Sequence, residues 1–302
     1  MSVVIYSSDL HGDLERYDKL IEICVSKSAA ALILGGDLLP NSVDRDRAVA
    51  LQRSFLESSF KSFAANLKTS TTSNGSAPGT ILYCLLGNMD LSTSLNPLLS
   101  LAREGLLKSI HSAWATLPGG TRILGYPFVP PSPFRLKDME KRDLASDLPP
   151  EKPELSLIST DRGVMDIDTR ELFSAGRSME DDLIYLYDPE PAKHILVTHC
   201  PPWGTALDKI GSGSGSGSGP GNGSESHVGS RAIRSVVEKH SPLLALHGHI
   251  HESPEVTGTF TDTVGSTLCV NPGRLEKSMN IVCFDETDPV GTIEIITLSL
   301  QS

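Results

Sequence analysis

The sequence predicts an α/β layered fold whose sheets are partly parallel and partly antiparallel. Early in the chain, short apolar runs of strand length alternate with segments of helical periodicity, the pattern of parallel strands joined by helices. Later, strand-like runs follow one another with little between them, which suits antiparallel pairing. A third observation bears on function: five apolar runs end directly in a residue able to bind a metal ion.

Taken in order, Val3–Tyr6 reads as a buried strand running into Ser7-Ser8-Asp9-Leu10-His11-Gly12-Asp13. Leu14, Tyr17, Leu20, Ile21 and Cys24 then recur at helical spacing, and Asp13 stands where an N-cap is expected. Ala30–Leu34 is a second apolar strand, ending at Gly35-Gly36-Asp37. From Asp44 to about Leu67, Val49, Leu51, Phe55, Leu56, Phe60, Phe63 and Leu67 form the stripe of a long amphipathic helix. With the polar loop Thr69–Gly79 it makes a helical insertion over about 41–79. Thr80–Leu86 is a third strand and ends at Gly87-Asn88-Met89-Asp90.

Gly119-Gly120 separates Trp114–Leu117 from Thr121–Leu124, a pair of short strands, and the proline- and charge-rich Tyr126–Pro153 is expected to run over the surface. Ser178 can cap a helix, with Asp181 at the capping-box position. His194–Thr198 is a strand ending at His199-Cys200-Pro201-Pro202. Gly211–Ser224 is almost entirely Gly and Ser and reads as a flexible loop rather than a domain boundary, because the metal-ligand pattern resumes beyond it. Ser230–His240 is a helix, and Leu243–Leu246 a strand that opens onto His247-Gly248-His249-Ile250-His251. Leu268–Asn271, Asn280–Phe284 and Thr292–Leu298 complete the strands of one expected domain over 1–302.

The chain has 302 residues, 39% hydrophobic and 21% charged, which is ordinary for a globular protein. It has no apolar run of membrane-spanning length, and its N-terminus lacks the basic segment of a signal peptide. The five cysteines are scattered and form no C-x-x-C pair, so a reduced, cytoplasmic setting is expected, with no membrane partner. A net charge of −11 argues against an extended nucleic-acid surface.

The five strand ends supply Asp9 with His11, Asp37, Asn88, His199, and His249 with His251. Ligands in α/β proteins gather at the carboxyl ends of strands, so these side chains can converge. Oxygen and nitrogen donors without a thiolate suit two borderline-hard divalent ions, with an aspartate shared between them. Such ion pairs, about 3.5–4 Å apart, are the usual device for hydrolysing phosphoesters.

In order, Asp9-Leu-His11, Gly36-Asp37, Gly87-Asn88, His199 and Gly248-His249-Ile-His251 resemble the five motifs of the calcineurin-like metallophosphoesterase superfamily. The resemblance implies a four-layer αββα sandwich of two mixed sheets and a phosphoesterase with two divalent metals, Mn²⁺ foremost, with Fe, Zn, Ni or Co as alternatives. It implies that Asp9, His11, Asp37 and His251 hold one ion, and that Asp37, Asn88, His199 and His249 hold the other. Asp37, Asn88 and His199 are the implied catalytic residues. A narrower similarity is to the predicted phosphoesterases related to the Icc-type cyclic nucleotide phosphodiesterases. It rests on Pro133-Phe134-Arg135-Leu136-Lys137-Asp138, His199-Cys-Pro-Pro and Gly248-His-Ile-His-Glu-Ser-Pro. A small phosphodiester or phosphomonoester is the expected substrate; a nuclease is the alternative, and a scaffold with weak chemistry a third reading.

One position departs from the pattern. Many members carry His directly after the motif Asn, where it can protonate the leaving group; here that residue is Met89, which cannot transfer a proton. Water, His227 or a substrate with a good leaving group are the candidates for that role. His247 can orient a ligand or simply pack in its strand, and Arg274 can meet phosphate or be a solvated turn residue.

Overall fold

The computed structural model describes residues 2–42, 44–72, 79–174, 176–188, 193–211 and 226–300. Most of the expected Gly/Ser loop and the middle of the 69–79 loop lie outside these residues.

Two six-stranded sheets dominate. The first runs, in spatial order, Glu294–Ser299, Ser278–Asp285, Val3–Ser7, Ala31–Gly35, Ile81–Leu85 and Lys108–Ser109. The second runs Thr261–Val264, Thr267–Val270, Leu244–Leu246, His194–Thr198, Arg122–Tyr126 and Ala113–Thr116. In both sheets the central strands are parallel, and the antiparallel pairs lie towards the edges. The central strands are buried on both faces, which is why they read as continuous apolar runs rather than alternating ones.

Alternation along each strand sends side chains to opposite faces and builds three apolar layers. Tyr6, Ile33 and Leu85 from the first sheet meet Ile123, Val197 and Leu246 from the second between the sheets. On the outer face of the first sheet, Ile5, Leu32 and Leu34 pack with Tyr17, Leu20, Phe60 and Phe63 of its helices. On the outer face of the second, Leu124, Leu196 and Ala245 pack with Leu183, Ile233 and Val237. The layers are therefore helix, sheet, sheet, helix. Each fully buried side chain of this size contributes about 1.5–3 kcal/mol.

The long amphipathic helix spans Arg45–Phe55 and Lys61–Ser70, joined through a π-helical turn at Leu56–Phe60. Within its expected stripe, Val49, Leu56, Phe60, Phe63 and Leu67 are buried but Leu51 is exposed. Leu51 lies two residues from Val49 in the same α-helix, about 200° around it, so the two cannot share one face. The buried Gln52 instead turns inward. Its side chain donates to Pro40 O (3.3 Å) and Met89 O (3.0 Å) and accepts from Leu91 N (2.8 Å).

Asp13 and Ser178 cap their helices, the latter in a capping box with Asp181. The expected surface path for Tyr126–Pro153 holds for most of its residues but not for all of them. Val129, Lys137, Met139, Glu140 and Asp143 of this segment are buried. The buried charged groups have internal partners, which charge and proline content do not reveal. Asp143 accepts from Ser230 Oγ (2.5 Å), Arg231 N (2.7 Å) and Ala232 N (3.2 Å), and so caps the helix Arg231–His240 from a distant stretch of chain. The hairpin Leu155–Thr160 with Gly163–Asp168 had no signal strong enough to predict it.

Asp143→Ala should cost about 2 kcal/mol of stability, because it strands two buried donors at a helix N-terminus. Thermal melting against the wild type measures this; an unchanged melting temperature would show that the cap carries no load.

Candidate active site

The five motif loops follow the carboxyl ends of parallel strands, three from the first sheet and two from the second. The sheets face each other, so all five loops arrive at one edge of the sandwich. There they bond to one another. Asp9 N donates to Gly36 O (3.0 Å), His11 N to Asp37 O (2.8 Å) and Gly248 N to His199 O (2.9 Å).

Space between the loops is tight enough to require glycine. A Cβ on Gly87 would collide with Asp37 N, and one on Gly248 with Ser8 Oγ. The backbone is also unusual at the candidate ligands themselves. Asp9 (φ 59°), His11 (49°), Asp37 (52°) and His249 (67°) adopt left-handed conformations, uncommon for residues with a Cβ. Such conformations persist where surrounding structure over-determines them, and they cluster at functional sites.

Asp9, His11, Asp37 and His251 each offer a ligand atom, and all four atoms lie within 4.8 Å of one another. Within this group, His251 Nε2 is 3.2 Å from Asp9 Oδ1 and 3.3 Å from His11 Nε2, while His11 Nε2 is 3.8 Å from Asp37 Oδ2. Asp9 also accepts from Ser8 Oγ (2.5 Å) and from His249 N, which lies 3.2 Å from both carboxylate oxygens. On the other side of Asp37, His199 Nε2 is 3.4 Å from Asp37 Oδ1 and 2.9 Å from Asn88 Oδ1. The His249 ring lies 5.3 Å, centroid to centroid, from that of His199. Met89 N donates to Asp37 Oδ1 (2.8 Å). All seven expected residues therefore meet at one place.

His199 shows how the fold orients a ligand. Its Nδ1 lies 2.9 Å from Gly35 O, and a carbonyl can only accept, so Nδ1 carries the hydrogen. Nε2 is left facing Asn88 and Asp37, the orientation a metal ligand needs.

The electrostatics call for positive charge. Asp9 and Asp37 are buried, and their ion-pair partners are histidines. Burial alone would raise the Asp9 pKa, but the hydrogen bond and charge of His251, then His199 and His11, hold it well below the usual carboxylate range. Burial likewise works against ionising Asp37, and His199 and His11 overcome it. Burial would also strip the proton from His199, yet Asp37 and Asp9 lift its pKa to about 9. His249, with burial and His199 acting together, is pushed down to about 3 and stays neutral. Buried ionised oxygens beside imidazole nitrogens, with no thiolate, are a donor set that fits a divalent cation.

Asp90 does not bear on the cavity but holds its floor. It is fully buried and accepts from Leu38 N (3.1 Å), Leu39 N (2.8 Å) and Gly87 N (2.9 Å), tying the Asp37 loop to the Asn88 loop. Burial, and then the charge of Asp37, raise its pKa to about 7 against the pull of those three amides. Nothing in sequence spacing distinguishes such an anchor from any acidic residue in a turn.

A cavity of about 500 Å³ opens over the candidate ligands. His11, Asp37, Asn88, His249 and His251 line one side, Met89, Ile210 and Val228 extend the lining, and Pro130–Phe134 supply an apolar wall. The wall escaped sequence analysis, although a signal existed: it follows Arg122–Tyr126, whose carboxyl end is that of another parallel strand. Arg274 also lines the cavity, and its Nε donates to Asp9 O (3.0 Å). His227 does not line it; its Nδ1 is 2.7 Å from the buried Asp208 carboxylate. His247 packs inside the protein against Thr198 Oγ1 (2.8 Å).

Residues 3–253 match the calcineurin-like phosphoesterase family, five-sixths of the chain. The chain belongs to that family. No curated protein matches it in sequence. One solved crystal structure overlays with a TM-score of 0.62 at 15% identity, covering 98% of this chain and 99% of the other. The protein TT1561 of Thermus thermophilus gives 0.58 at 15% identity, with 99% of each chain covered. A putative 5'-nucleotidase from Staphylococcus aureus, in complex with alpha-ketoglutarate, gives 0.50 at 12% identity over 99% of this chain and 55% of that one. At such identities the likeness concerns the fold. Among the described residues of this calcineurin-like phosphoesterase, no helix is long and apolar enough to cross a membrane.

Asp90→Ala should strand three buried backbone donors, at about 1–3 kcal/mol each if none finds water. The expected result is a lower melting temperature together with weaker metal binding by calorimetry. Unaltered metal affinity would show that Asp90 does not hold the ligand loops in place.

Proposed function

We propose that the protein is a dinuclear, metal-dependent phosphodiesterase that hydrolyses small phosphodiesters. The observation that carries this reading is the meeting of Asp9, His11, Asp37 and His251 within one ligand-sized space, inside a family of phosphoesterases. Asp9, His11, Asp37 and His251 would hold one ion. Asp37, Asn88, His199 and His249 would hold the second, which the short distances from His199 to Asn88 and Asp37 support. Mn²⁺ is the ion proposed for both. Bound ions supply Lewis-acid polarisation of the phosphoryl group and make a water more acidic.

The protein's own side chains set the rest. Asp37 is shared between the two groups and neutralises charge in both. His199, fixed by Gly35 O, presents one nitrogen in one direction. Among the lining residues described, Arg274 is the one side chain with a permanent positive charge. Met89 lies beside Asn88, and no proton donor stands at that position. The leaving group must then depart with a proton from water or as a stable anion. Five buried, unpaired cysteines support a reducing, cytoplasmic setting.

The decisive assay compares bis-p-nitrophenyl phosphate with p-nitrophenyl phosphate in the presence of Mn²⁺, followed by cyclic-nucleotide and oligonucleotide panels. Faster turnover of the diester is expected. Asp37→Asn should lose both metals and nearly all turnover while circular dichroism stays unchanged. His249→Ala and His251→Ala should each lose about one equivalent of metal, with activity down by roughly a hundredfold or more. Wild-type metal content in all three variants would refute the ligand assignment.

Met89→His places an acid beside Asn88. A positioned acid is typically worth about 10²–10⁴-fold, so alkyl phosphodiesters should gain far more than p-nitrophenyl ones, whose leaving group needs no proton. Equal gains on both would count against a missing acid.

A further inference from the structure

We propose that the site takes a phosphodiester bearing an aromatic ester group, and that Phe134 with the proline run before it is the surface on which that ring packs. The proposal rests on the phosphoesterase reading and names the substrate class.

The cavity is two-sided. The metal-ligand residues with Arg274 form a polar side, while Pro130, Pro131, Pro133 and Phe134 form an apolar one continuous with it. Phe134 is 52% exposed although it lines the cavity. A large aromatic face left open beside a polar catalytic floor is the composition of a ligand pocket, whose apolar walls supply affinity and whose few polar groups set orientation. Met89 adds a further apolar contact next to Asn88, where a histidine would have made the lining polar. A phosphodiester of a plain sugar or glycerol would leave these apolar surfaces wet; an aryl group would cover them.

The wall is built in advance of any ligand. Ser132 lies at its centre, and the buried Glu140 accepts from Ser132 N (2.9 Å) and from Ser132 Oγ (2.5 Å). Lys137 Nζ, buried too, donates to Ser132 O (2.6 Å) and to Glu140 Oε2 (2.7 Å). Ser132 Oγ in turn accepts from Phe134 N (3.2 Å). Burying a lysine–glutamate pair costs desolvation energy and is weak evidence for stability alone. Here both ions spend their hydrogen bonds on one residue of the loop, which fixes the course of Pro130–Phe134. Three prolines among those five residues stiffen the loop further, so little conformational entropy is lost when a ring settles on it.

The test is calorimetric titration of the Mn²⁺-loaded protein with diphenyl phosphate and with dimethyl phosphate, which share the phosphodiester charge. Diphenyl phosphate should bind at least about tenfold more tightly, equivalent to about 1.4 kcal/mol. Phe134→Ala should remove most of that preference while changing dimethyl phosphate affinity by less than about twofold, and Phe134→Tyr should retain the preference. Equal affinities for the two phosphates, including binding by neither, would overturn the proposal, as would a Phe134→Ala variant that weakens both alike. Hydrolysis of bis-p-nitrophenyl phosphate by the same preparation is scored separately. Aryl preference without hydrolysis would leave the wall standing and remove the phosphodiesterase reading. Hydrolysis without aryl preference would do the reverse.

Discussion

Two buried carboxylates, Asp9 and Asp37, impose the constraint around which the rest of the molecule is arranged. Like charges held this close and out of water are expensive unless positive charge and hydrogen bonds surround them. The protein meets that demand with histidines from both sheets and with backbone amides, Met89 N on Asp37 and His249 N on Asp9. Imidazoles can satisfy it only in part, since a protonated ring brings a single charge. A divalent cation meets it in full, and the same oxygens and nitrogens are the donors it needs.

Keeping those groups together requires a stiff scaffold, and the scaffold is visible at each scale. The parallel strands aim five loops at one edge. The loops are then joined by backbone hydrogen bonds, by Asp90 beneath and by Gln52 from the neighbouring helix. Left-handed backbone at Asp9, His11, Asp37 and His249 is unfavourable locally, by about 1–3 kcal/mol for each residue, and the surrounding packing offsets it. Stability is thereby diverted into fixing where four candidate ligands point.

Above this polar floor the chemistry changes character. Met89, the proline run and Phe134 are apolar, and Arg274 is the single permanent cation among the described residues that line the cavity, while the chain as a whole carries a net charge of −11. Neither feature suits a long polyanion. The buried Lys137–Glu140 pair, which could look like an isolated structural curiosity, fits as the brace of that wall.

What could be read from the sequence alone was whatever local chemistry encodes. Apolar runs marked the strands, helical spacing and caps marked several helices, and polar residues directly after five strands marked all seven residues that meet at the site. Such signals survive in one dimension because a buried parallel strand must be apolar throughout and its ligands must follow it at once. Tertiary structure decided what depends on partners far away in the chain. It set aside His227 by giving it to Asp208, enlisted Arg274 at the cavity, turned Leu51 outward and Gln52 inward, and buried Lys137, Glu140 and Asp143 of the charged 126–153 segment. It also made Phe134 a cavity residue and Asp90 an anchor. Each of these outcomes depends on hydrogen bonds and contacts between residues well separated in sequence, and no spacing within a single segment records them.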